Sequence, residues 1–246
     1  MTLALFTREA AALDPSLYAK VLAEHTVAVT DIASTRVDYG ALRGSKDWSD
    51  LVASLRASDP SRLRSANETK AFWINAYNIL AIDLVQRSYP TDSIRSLGGL
   101  FSPVWKKPAG VIAGRSYTLD EIEHEILRPM GDPCVHGAIV CASLSCPPLR
   151  REPYRADELD AQLEDNLRRW LADPRKGARV DRATQTLYLS PIFDWFAGDF
   201  GGDVATFVAA HVPAESAAWI RAAGGALRVR YLAYDWHLND TATAPK

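Results

Sequence analysis

An α+β fold is what this sequence predicts: one globular domain, 1–246, with a mixed, partly antiparallel β-sheet flanked by helices, and a helical N-terminal segment at 1–60 ahead of a core at 61–240. Three features carry that prediction. Helical periodicity dominates the first sixty residues, five or six short β-branched runs are spread between later helices, and two pairs of those runs lie close enough to form hairpins. Connections are short, and no internal repeat or linker of shifted composition divides the chain.

In chain order, Pro15–Val29 and Trp48–Ala57 read as helices joined by a loop around Asp38-Tyr39-Gly40. Glu68–Arg87 is a long helix with apolar residues on almost every side, the pattern of a helix inside a protein. Pro90 and Gly98-Gly99 then punctuate. Pro108–Ile112 and Arg115–Leu119 form a hairpin turning at Ala113-Gly114. Asp120–Arg128 is a helix whose acidic first turn suits the helix dipole. Val135–Ala142 has the length and composition of a strand, ending in a small-residue loop, Ser143-Leu144-Ser145-Cys146, that Pro147-Pro148 stops. An amphipathic helix at Ala156–Ala172 follows, then a hairpin of Ala178–Val180 with Thr186–Leu189. Short helices at Ile192–Phe196 and Asp203–His211 lead to a last strand, Leu227–Ala233.

Composition excludes several classes of function. Hydrophobic residues at 48%, charged residues at 24% and a net charge of −2 offer no electrostatic footprint for nucleic acid. No apolar run is long enough to span a membrane. The stretch Met1–Glu9 lacks the basic start and long apolar core of a signal peptide, so the cytoplasm is the expected compartment, with a processed precursor as the alternative. Three cysteines, an odd number, argue against a disulfide scaffold and for reduced thiols.

All three thiols, Cys134, Cys141 and Cys146, fall within Asp132–Leu149 together with His136. Cys146, on a tight loop past an apparent strand, is the candidate nucleophile; Cys141 reads as a small hydrophobe of the strand, and Cys134 has no evident role. Two histidines compete as its base. His136 starts the strand and Cys146 follows its end, and about 3.3 Å per residue puts roughly 20 Å between the strand ends. His124, on the preceding helix, is therefore favoured, unless the loop doubles back.

Glu123 falls inside the apolar arc of its helix, defined by Leu119, Ile122, Ile126 and Leu127. A carboxylate there needs a partner, and orienting an imidazole is one such use. Asn75 and Asn78 form one stripe on the apolar helix, where they either tie a loop or position substrate. Asp199 or Asp235 would serve as the orienting carboxylate of a triad. Glu121-x-x-His124 is a weak zinc signal, lacking a second motif or a Cys-x-x-Cys pair. No P-loop, dinucleotide-binding glycines or Gly-x-Ser-x-Gly elbow occurs, so neither cofactor nor metal is expected.

Together these residues resemble the domain of unknown function 547 family. The matching pieces are Ala71-Phe72-Trp73-Ile74-Asn75-Ala76-Tyr77-Asn78, Leu119-Asp120-Glu121-Ile122-Glu123-His124 with Arg128, and His136 through Leu149. The likeness continues through Leu189-Ser190, Ile192-Phe193, Trp195 and Asp199-Phe200 to Tyr234-Asp235-Trp236 and Asn239. It implies that Asn75, Asn78, Glu123, His124, Arg128, His136 and Cys146 form a shared set, but brings no activity with it. Cys134 stands where the family pattern usually has Arg, and Asp194 where it often has a basic residue.

The leading expectation is a cysteine-dependent hydrolase or acyl/peptidyl transferase acting on a small molecule or peptide. Cys146 is its nucleophile, His124 or His136 its base and Glu123 the holder of the imidazole, while Asn75, Asn78 and Arg128 contact substrate. The alternatives are a non-catalytic binding or scaffold module built on a buried polar network, and a zinc site of Cys, His and Glu.

Overall fold

The computed structural model describes residues 13–99 and 102–244, so the Met1–Glu9 stretch and the first part of the expected helical segment lie outside the described residues. Helix α1, Pro15–His25, starts on Asp14, whose carboxylate accepts the Ser16 and Leu17 amides, with Pro15 at the first helical position. It ends four residues before the expected Val29. The β-branched run that begins at Thr26 instead forms β1, Thr26–Ala28, antiparallel to β2, Thr35–Val37. Asp38 caps a short helix α2, Tyr39–Leu42, where a loop was expected, and Ser45 caps α3, Lys46–Ala57.

The long α4, Ala66–Arg87, is buried without interruption from Ala71 to Asp83, as its all-round apolar sequence requires. The hairpin of β3, Pro108–Ile112, and β4, Arg115–Thr118, turns through Ala113 and Gly114. Both have positive φ (50° and 78°), which a tight two-residue hairpin turn demands. A capping box between Thr118 and Glu121 opens α5, Leu119–Glu121. The helix then widens into a π-helical stretch, Ile122–Leu127, before a 3₁₀ turn at Arg128–Met130. Pro129 has no amide to extend the regular ladder.

The expected strand Val135–Ala142 is absent. Asp132 accepts the Cys134 amide and starts a 3₁₀ helix, Pro133–Gly137, that Pro133 favours. Beyond it the chain is irregular, and a side chain takes the place of a partner strand. The Asn78 amide donates to the Ala138 carbonyl (3.0 Å) and accepts from the Val140 N–H (2.9 Å). Asn75 ties Tyr154 in the same way, at 2.8 and 2.9 Å, and Asn166 donates to the carbonyls of Gly137 and Pro148. Asn78→Leu strands two buried backbone groups. A loss of about 2–6 kcal/mol is expected at roughly 1–3 kcal/mol per unsatisfied group, read from the urea unfolding midpoint.

Helix α6, Leu159–Ala172, begins three residues later than expected, after a turn at 156–158. Gly177 then lets the chain cross the end of this helix, since a Cβ there would overlap the Trp170 carbonyl. Strands β5, Ala178–Asp181, and β6, Thr186–Leu189, form the second hairpin. Three helices follow: α7, Ile192–Trp195; α8, Val204–His211; and α9, Ala214–Ala223, whose alanine-rich sequence shows no clear apolar stripe and was not expected. Last comes β7, Arg228–Tyr231, parallel to β6, which makes this three-stranded sheet mixed. The fold is α+β, with small sheets among many helices. Two hydrophobic clusters fill it, one around α4 and the other between α6, β6 and α7–α9, and Cys134 and Tyr234 pack against both.

Candidate functional site

Between those clusters lies a pocket of about 370 Å³. The aromatic side chains of Trp105, Trp195, Phe196, Tyr234 and Trp236 line it. Its polar groups are Tyr77, Lys106, Asp120, Glu123, His124 and His136, with Cys141 and Cys146 beside them. An apolar cleft with a few convergent polar groups is the usual form of a small-molecule site.

Cys141 and Cys146 are joined in a disulfide, their Cα atoms 6.4 Å apart, which corrects the expectation of reduced thiols throughout. Cys141 is accordingly not a strand hydrophobe. Among the described residues Cys134 is the free thiol. The loop doubles back because Ala142 adopts a positive φ of 60° and Ser143 bridges to Leu238. The separation that favoured His124 therefore does not exist. Three donors point at the Cys146 sulfur: the Cys141 amide at 3.0 Å, the Tyr234 hydroxyl at 3.2 Å and the Ser143 hydroxyl at 3.3 Å. Burial raises the Tyr234 phenol far above its ordinary value, so it stays a donor. Donors of this kind stabilise a sulfur anion once the pair is reduced.

His136 is the buried imidazole of the site, with a side chain 2% exposed. Its ring stacks on Phe196 at 4.4 Å, and its Nε2 is 2.7 Å from Asp199 Oδ2. Asp199 in turn accepts a fork of two bonds from Arg128, at 2.6 and 2.8 Å. Arg128 above all, and then His136, hold the Asp199 carboxyl down at about 2. Burial lowers the His136 value against the pull of Asp199, so the ring is neutral at pH 7. A neutral ring beside an ionised carboxylate carries its proton on Nε2, which leaves Nδ1 as the lone-pair nitrogen. His136 Nδ1 makes no hydrogen bond among the described residues.

His124 is exposed, with Nδ1 2.6 Å from Arg128 and Nε2 3.7 Å from Asp120. Arg128 is thus spent on Asp199 and His124. Glu123 is buried, as its place on the apolar arc requires, but its partner is the Tyr77 hydroxyl at 3.2 Å, not an imidazole. Burial raises its carboxyl to about 7, against the smaller opposing effects of Tyr77 and Arg128. Asn75 and Asn78 do not line the pocket; both amides are engaged by main chain. Glu121 is held by Thr118 and Arg115, so no metal pair forms with His124. Asp235 accepts from the exposed His237 rather than from His136.

The carboxylate that orients the imidazole is therefore Asp199, one of two that the sequence offered. Tyr234 and Ser143, the hydroxyls on the Cys146 sulfur, were missed. A Ser between two cysteines and a Tyr before Asp-Trp carry no periodicity that separates such donors from core residues. Chemically the site offers a sulfur pair, an oriented neutral imidazole and a carboxyl that titrates near neutrality, all on one pocket.

A family model described as "Protein of unknown function, DUF547" matches residues 60–171. The matched segment holds Glu123, His136 and both paired cysteines, whereas Asp199 and Tyr234 lie beyond it. No curated protein matches the chain, and neither does any solved structure. Among the described residues, no helix is long and apolar enough to cross a membrane.

Proposed function

We propose, for a chain whose residues 60–171 match the DUF547 family, that this pocket is the active site of a thiol-dependent hydrolase or acyl/peptidyl transferase. The reduced Cys146 thiolate is the nucleophile. The observation that carries this reading is the convergence of three donors on the Cys146 sulfur in the pocket that His136 also lines. The thiolate adds to an acyl carbon and forms a carbon–sulfur bond. His136 takes up the thiol proton at Nδ1 and returns it to the departing alcohol or amine, with Asp199 stabilising the imidazolium. Water or an acceptor amine then attacks the thioester and restores the thiol. Glu123, protonated up to about pH 7, is a second proton donor on the same wall. The aromatic lining suits an acyl group or peptide side chain of apolar character.

The disulfide makes reduction a precondition, because neither paired sulfur is nucleophilic. A second reading rests on the same pairing: with the disulfide in place, the aromatic pocket is a binding site and not a catalyst. Alkylation of the reduced protein separates the two. Cys146 should react with iodoacetamide with an apparent pKa below the ordinary thiol value of about 8.5, and Tyr234→Phe should raise it by about one unit through loss of a donor. Peptide mass spectrometry assigns the label. A Cys146 that labels only above its ordinary pKa, in wild type and variant alike, overturns the catalytic reading.

A further inference from the structure

Away from the pocket, three ligand-type side chains from three separate elements converge: Cys134 of the 3₁₀ turn Pro133–Gly137, Glu164 of α6 and His211 at the end of α8. Their sulfur, oxygen and nitrogen atoms all lie within 4.8 Å of one another. We propose that they bind one divalent transition-metal ion, zinc by the chemistry of the set. This site is independent of the thiol chemistry assigned to Cys146.

Spacing, tautomer and charge each support the assignment. His211 Nε2 and Glu164 Oε2 are 3.4 Å apart. Two zinc ligands at about 2.0–2.1 Å and a tetrahedral angle stand about 3.3 Å apart, so these two atoms already sit at the required separation. His211 Nδ1 donates to the Phe207 carbonyl at 2.7 Å, which leaves Nε2, the nitrogen beside Glu164, as the one that can ligate a metal. A zinc-bound histidine is oriented by this kind of outer hydrogen bond. Glu164 is steadied in the same way, its other oxygen accepting from Arg168. A thiolate and a carboxylate balance the charge of a divalent ion, and thiolate with imidazole selects zinc over magnesium or calcium. Lys70 does not compete for the site, being paired with Asp132 at 2.6 Å. Three protein ligands leave a fourth position for water. The ion would join α6, α8 and the turn that carries His136, across the seam where Cys134 meets both hydrophobic clusters.

The test uses the whole chain, stripped with a chelator and titrated with Co²⁺ and then Zn²⁺. One equivalent of Co²⁺ should produce a thiolate charge-transfer band, which Zn²⁺ should displace. Cys134→Ser should abolish the band, and His211→Gln should weaken zinc binding by about 10–100-fold or more. The Cys141→Ser/Cys146→Ser double variant should keep both. Circular dichroism shows whether each variant is folded, and the His211 variant carries the test should the Cys134 variant fail to fold. No uptake by the folded wild-type chain, or uptake lost in the Cys141/Cys146 variant and retained in Cys134→Ser, overturns the assignment.

Discussion

Cys146→Ala is expected to remove at least about a thousandfold of the reduced protein's turnover of an activated ester such as p-nitrophenyl acetate, since Cys141, the other pocket thiol, shares the Ser143 and Tyr234 hydroxyls but has no counterpart of the main-chain amide that points at the Cys146 sulfur. His136→Ala and Asp199→Ala should each lower the rate by about 10²–10⁴, the usual range for a positioned acid–base group. Asp199→Asn should be milder than Asp199→Ala, for a geometric reason. Asp199 Oδ2 accepts from both His136 and Arg128 Nε, while Oδ1 accepts only from Arg128 Nη2. An Asn can leave its oxygen at the first position and set its amide against one arm of the Arg128 fork. The His136 tautomer then survives, and one arm of the fork is lost. Initial rates with and without reductant check all four variants. A rate in Cys146→Ala equal to wild type would remove the thiol mechanism, and full activity of the oxidised protein would do the same.

Glu123→Gln should stabilise the protein at alkaline pH and leave it unchanged at acid pH. The Glu123 carboxyl is raised from 4.5 to about 7 by burial, with the Tyr77 hydrogen bond and Arg128 opposing. Its raised value means that the folded state holds the proton more tightly than the unfolded state does. Below about pH 4.5 the carboxyl is protonated in both states and costs nothing. As the pH climbs from 4.5 through 7 the unfolded chain ionises first, and stability falls until the folded carboxyl ionises too. The full difference is about 3 kcal/mol, at 1.36 kcal/mol per pKa unit. A glutamine keeps the acceptor for Tyr77 and never ionises. Other titrating groups, Asp199 and His136 among them, are common to both proteins and cancel in the comparison. Denaturant midpoints at pH 4.5 and pH 8.5 measure the gap. Equal midpoints at both values would show that Glu123 is ionised without penalty.

Glu123 was recognisable because a charge inside an apolar arc breaks a 100° pattern, and that pattern survives even though the helix widens into a π turn there. Its partner was not recognisable. Tyr77 lies 46 residues away on α4, on a helix whose every side is apolar, so nothing local distinguishes it. Asn75 and Asn78 stood out for the same reason as Glu123, and the tie to loops was one of the two uses their position allowed.

The run Val135–Ala142 failed for the opposite reason: its composition suits a strand, but strand structure needs a neighbouring backbone. The Asn78 amide supplies those hydrogen bonds instead. Once the segment is not extended, Cys146 returns to Cys141, and distance arguments along the chain lose their premise.

What the sequence determined by itself is therefore local or periodic. It set the α+β class, the interior helix α4, both hairpins and the place of Glu123 on the apolar arc of its helix. The tertiary structure alone decided which members meet: Asp199 with His136, Tyr234 and Ser143 on the Cys146 sulfur, and Cys134 with Glu164 and His211. Each of these meetings except Ser143 with Cys146 joins residues dozens of positions apart. The packing of α6 on the 133–137 turn and of α8 on α6, with the following loop tied to α4 by Asn78, brings them together, and no local pattern in a single sequence encodes that juxtaposition.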